Sequence, residues 1–88
     1  MKYYVVDKSD REDLPFMSNS FEMCTDGKDQ FDWFGNDNIE LVVPFNSHED
    51  ALRNVVKEKI RLAKYYEITP YELDIEILTE NEFVAYLI

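Results

Sequence analysis

The chain has 88 residues, 45% of them apolar and 15% aromatic, and carries 19 acidic residues against nine basic ones for a net charge of −10. That is the composition of one small globular domain spanning residues 1–88; folding at this size buries about 60–65% of the unfolded chain's surface, so every apolar stripe is needed. The charge disfavours direct binding to nucleic acid, except through one basic helix, and to an anionic membrane, and points to basic partners.

The charge is also unevenly spread. Residues 1–50 hold twelve acids and four bases, residues 51–66 one acid and five bases, and residues 67–88 six acids and no base. A single cysteine, Cys24, rules out an internal disulfide and fits a reducing compartment. The apolar run at the N-terminus is too short for a signal peptide, and no stretch reaches the ~20 residues of a membrane span. The expected location is the cytoplasm.

In chain order, Tyr3–Val6 reads as a first strand and 9–15 as a loop closed by Pro15. A second strand is expected around Phe21 and Met23. Asp26-Gly27 is a hairpin turn signal, and residues 30–34 form the third strand. After the turn cluster 35–38, Ile39, Leu41, Val43 and Phe45 alternate, which predicts a fourth strand with Pro44 marking its end or an edge. Ser47 is a natural N-cap, with Glu49 and Asp50 in the first turn. Leu52, Val56, Ile60 and Ala63, flanked by Val55, Leu62 and Tyr66, predict an amphipathic helix over 48–66 that Thr69-Pro70 stops. Leu73, Ile75 and Ile77 alternate with Glu72, Asp74 and Glu76, predicting a fifth strand. Thr79 and Glu82 fit a capping box ahead of Phe83, Tyr86 and Leu87, so a short C-terminal helix is expected, with a strand as the alternative. The expected fold is α+β: a small, mostly antiparallel sheet of about five strands covered by one long amphipathic helix, with a short C-terminal helix.

Catalytic signatures are weak. Ser47-His48-Glu49-Asp50 has the letters of a hydrolase triad, but adjacent residues cannot face one another across a reacting centre. His48 is the only histidine and reads as an exposed helix-start residue. Cys24 has no basic residue nearer in sequence than Lys28 and reads as structural. Asp26, Asp29, Asp32 and Asp37 crowd one hairpin region without the spacing of a calcium loop, and one cysteine plus one histidine leave a zinc site two ligands short. No glycine-rich phosphate loop is present. The expectation is a non-enzyme without cofactor or metal.

The acidic residues are the stronger lead. On the expected fifth strand Glu72, Asp74 and Glu76 would project from one face about 6.6 Å apart, comparable to phosphates along a nucleic-acid strand. Glu40, Asp26, Asp29, Asp32 and Asp37 would add to the array. Such a surface suits the basic groove of a nuclease or another nucleic-acid-binding protein, with the salt dependence of nucleic-acid recognition itself. The competing reading is a solvated outer sheet face that keeps a small protein soluble. Trp33 and Phe34 form a second lead, an aromatic patch rimmed by carboxylate; core packing is the competing reading. The helix offers a third, because Arg53, Lys57, Arg61 and Lys64 form a basic stripe that could contact phosphate, the favoured expectation being that it pairs with the chain's own acids or with a second copy's.

In size, charge and lack of an active site the chain resembles the small acidic proteins with which phages and mobile elements inhibit host nucleases or polymerases. The resemblance is one of class and runs through no specific motif. It implies anti-restriction, anti-CRISPR or host-takeover inhibition as the form of mimicry. The alternative is a non-enzymatic interaction or accessory subunit, possible as a homodimer, that binds through the aromatic patch or the helix.

Overall fold

The computed structural model describes residues 1–9, 15–23 and 29–86. It shows a small α+β domain. The strands are β1 (Tyr3–Asp7), β2 (Phe16–Met23), β3 (Asp29–Phe34) and β4 (Ile75–Thr79); the helices are α1 (His48–Tyr66) and α2 (Glu80–Tyr86). One antiparallel sheet runs in the order β3-β2-β1-β4.

Period-two alternation along β1 splits the core into two layers. Val5 faces α1 and packs with Met17, Phe45, Ala51, Val55, Ala63, Leu73 and Ile75. Val6 faces the other way, into a cluster with Phe16, Leu78 and Phe83 beneath α2. Tyr4 stacks on Phe83 at 3.7 Å, and Phe16 meets the same ring edge-on. Phe16 and Met17, which open β2, are fully buried partners of β1; the strand therefore begins well before the expected Phe21.

Both helix starts follow their local signals. The Ser47 hydroxyl accepts the Asp50 N–H at 3.0 Å. Thr79 and Glu82 exchange hydrogen bonds of 3.0 and 3.3 Å as a capping box. α1 ends one turn before Pro70, at Glu67, which takes the left-handed conformation (φ 57°) while the Ile68 N–H reaches back to the Ala63 carbonyl at 2.9 Å.

Among the described residues the expected fourth strand is absent: the sheet has four strands, and Ile39–Phe45 lies outside them. A 3-10 helix covers Asn36–Leu41, started by the Asn38 N–H on the Gly35 carbonyl at 3.0 Å. The chain then runs extended into a gap left by an irregularity in β2 between Met17 and Phe21. There the Val43 carbonyl accepts the Asn19 N–H at 2.8 Å, the buried Ser18 hydroxyl accepts the Val43 N–H at 2.8 Å, and Phe45 exchanges two 2.9 Å bonds with Tyr3. Pro44 has no N–H to offer a ladder, so the pairing stays a single bridge. The alternation that suggested a strand therefore sorts differently. Ile39 is half-buried and Phe45 fully buried, while Leu41 and Val43 are exposed.

The last strand is displaced by two residues. Glu72 closes a 3-10 turn (Pro70–Glu72), where its carboxylate accepts the Thr69 N–H at 2.8 Å, and the strand proper begins at Ile75.

Candidate functional site

α1 is rolled about its axis away from the orientation its apolar residues suggest. The residues it buries against the sheet are Ala51, Asn54, Val55, Glu58 and Ala63. Leu52, Val56 and Ile60, three of the four residues expected at the centre of the core face, are 48, 49 and 58% exposed. The helix sits over β1 and β4, and its flank bearing Glu58 and Arg61 turns toward Trp33 on β3. The opposite flank, with the aliphatic stripe, therefore faces solvent beside Arg53, Lys57 and Lys64.

Glu58 explains much of the roll. Only 2% exposed, it accepts the Trp33 indole N–H at 3.3 Å through Oε2 and pairs through Oε1 with the Arg61 guanidinium one turn along. A carboxylate this deep needs donors, and this orientation brings it Trp33 from the sheet. Nothing in the apolar periodicity signals the arrangement; Glu58, the sole acid in residues 51–66 among five bases, is the one trace of it in the sequence.

Beside this pair lies an open crevice of about 420 Å³ between the C-terminal end of α1 and the sheet, lined by Asp7, Pro15, Trp33, Arg61, Leu62, Tyr65 and Tyr66. Trp33 is half-buried, whereas Tyr65 and Tyr66 are exposed and meet edge-to-face at 5.0 Å. Phe34 closes β3 opposite Phe16 and does not line the crevice. The anticipated Trp33–Phe34 patch is thus divided between neighbouring strand positions that point to opposite faces.

The acidic residues do not form the expected ladder. Glu72 belongs to the 3-10 turn, Asp74 precedes β4, and Glu76 alone lies within it. The Asp74 backbone is tied to the end of β1, its carbonyl accepting the Lys8 N–H and its N–H bonding the Ser9 hydroxyl, both at 2.7 Å. Glu76 is neutralised by Lys8, whose ammonium is held well above the usual lysine range by that carboxylate and by the Tyr86 hydroxyl. Asp37 and Glu40 are exposed on the first 3-10 helix. Asp29 and Asp32 lie in β3, their side chains not among those described, and Asp26 and Cys24 lie outside the described residues.

Of the basic stripe, Arg61 alone forms an ion pair among the described residues; Arg53, Lys57 and Lys64 face water. His48 is exposed at the first helical position, its ring edge-on to Tyr3 at 5.6 Å. Among the described residues, no group of three or more His, Cys, Asp or Glu is placed to hold a metal ion, and no helix is long and apolar enough to cross a membrane. The chain matches no protein-family model, and no curated protein or solved structure is recognisably similar to it.

Proposed function

We propose that this chain is a cytoplasmic, non-enzymatic binding protein whose partner is a basic protein of the kind that handles nucleic acid. The observation supporting this reading is the set of carboxylates left without an ion pair among the described residues. Asp37, Glu40, Glu72 and Asp74 are all exposed, on a chain of net charge −10. Such a field raises the encounter rate with a basic surface and weakens with salt over a Debye length of about 10 Å at 0.1 M. Inhibition of a nuclease or polymerase by occupying its groove is the concrete form this takes.

The test is capture of partners on the tagged protein at low salt and again near ~0.5 M salt, where screening shortens the reach of surface charge severalfold. The expected result is a nucleic-acid-binding protein that is lost at high salt, displaced by duplex DNA, and no longer retained by a Glu72→Lys/Asp74→Lys variant. Retention by that variant, or capture indifferent to DNA, removes the mimic.

A second reading, an interaction or accessory subunit working through the helix, is favoured by Leu52, Val56 and Ile60 on the open flank of α1. It predicts a complex, with another protein or a second copy, that survives high salt and is lost on Val56→Lys. Sedimentation of the isolated protein at both salt concentrations separates the homodimer from the hetero-complex.

A further inference from the structure

From the lining of the crevice we infer a binding site for the side chain of an arginine, presented by a basic peptide segment of the partner. The inference rests on the basic-partner reading and names the residue that partner inserts.

Three rings, Trp33, Tyr65 and Tyr66, border the crevice, with Pro15 and Leu62 as further apolar lining. Aromatic faces attract cations, and a planar guanidinium stacks on them better than an ammonium does. The charge inside is set by Asp7. Arg61 also lines the crevice, but the buried Glu58 neutralises it, whereas the Asp7 carboxylate has no ion pair among the described residues and accepts only the Ser9 N–H at 2.9 Å. Among the described residues the local balance is therefore one negative charge, within a molecule of net charge −10, which disfavours an anionic ligand.

Glu58 gives the site its rigidity. By binding the Trp33 indole and the Arg61 Nε at once it fixes one aromatic wall and one rim group from within the core. The terminal amino groups of Arg61 have no partner among the described residues. They are donors for the backbone carbonyls of an incoming peptide, which favours an arginine in a chain over a free organic cation.

Trp33 is the only tryptophan, so its emission reads the site directly. The probes are three acetylated, amidated tripeptides, Gly-Arg-Gly, its citrulline counterpart, and Gly-Glu-Gly. Citrulline keeps the shape of arginine and removes its charge. The expected result is saturable quenching by the arginine peptide in the millimolar range, about tenfold tighter than with citrulline and undetectable with glutamate. Tyr66→Ala and Asp7→Asn each weaken the arginine peptide about fivefold while the thermal melt stays in place, since Tyr66 is exposed and asparagine preserves the bond to Ser9. Equal affinity for arginine and citrulline, tighter binding of glutamate, or indifference to Tyr66→Ala overturns the inference. The two readings fail separately. A basic partner captured equally well by Tyr66→Ala removes the crevice alone, and specific arginine binding without any basic partner in the capture removes the function alone.

Discussion

The indole N–H of Trp33 on β3 points into the core at Glu58 on α1, 3.3 Å away and 25 residues later in the chain. This bond joins the edge strand of the sheet to the helix that covers it, and Arg61 completes it by neutralising the carboxylate. Removing the carboxylate leaves the half-buried Trp33 indole N–H without its acceptor. Glu58→Ala is therefore expected to destabilise the fold by about 2 kcal/mol, below the ~3–5 kcal/mol of a fully buried broken pair because Arg61 can turn to water. Replacing both members, Glu58→Met with Arg61→Leu, is expected to stay within ~1 kcal/mol of the parent. Urea unfolding followed by Trp33 emission checks both.

The roll of α1 makes an opposite pair of predictions for two aliphatic residues five positions apart. Val55 is 5% exposed and Ile60 58% exposed. Val55→Ala should cost about 2 kcal/mol through the cavity it leaves. Ile60→Ala should stay within ~0.5 kcal/mol, although the apolar periodicity of the sequence ranks Ile60 as core. Thermal or urea unfolding of the two variants decides the orientation of the helix.

Glu67 caps α1 in the left-handed conformation, which a residue with a Cβ adopts at a penalty and glycine does not. Its negative charge also sits at the negative end of the helix dipole. Glu67→Gly is expected to stabilise the protein by about 1 kcal/mol, less a few tenths for the freer unfolded chain, read as a rise in Tm.

Stability should fall at both extremes of pH, for different residues. Glu82 is held below the usual carboxylate range by the backbone N–H and then the hydroxyl of Thr79. A lowered folded pKa contributes stability above the unfolded value, and the contribution disappears as pH drops through the folded one. The start of α2 should therefore loosen first in acid, seen as early loss of amide protection over residues 80–86. Lys8 is raised, so its contribution is present below the ordinary lysine pKa and disappears as pH climbs past it. Glu76→Gln should remove most of that alkaline component, Tyr86 holding the remainder, and leave the acid one in place.

The features legible in the sequence were those fixed within one turn of chain. Ser47 and Thr69-Pro70 bracketed α1 at residues 48–66 because a cap and a proline act on their immediate neighbours. The Thr79–Glu82 capping box announced α2 in the same way. A β-rich run identified β1, and alternation identified the strand that holds Ile75 and Ile77.

It misled at Ile39–Phe45, because a 3-10 helix followed by a wedge into the sheet can carry the same spacing of apolar residues as a strand. The irregularity in β2 that admits the wedge belongs to another segment altogether.

The candidate site was less visible still. Trp33 was identifiable as an unusual residue and Arg61 as part of a charged stripe, but their meeting through Glu58 was not. Charge, helix limits and the α+β class thus follow from the sequence alone, since each depends on composition or on neighbours along the chain. Which face of α1 is buried, where Glu58 finds its partners, and whether Glu72, Asp74 and Glu76 share a surface were decided by tertiary structure. Burial is the sum of contacts between segments distant in sequence, and in α1 a buried carboxylate with two donors lies on the face turned to the sheet while the most aliphatic stripe faces water.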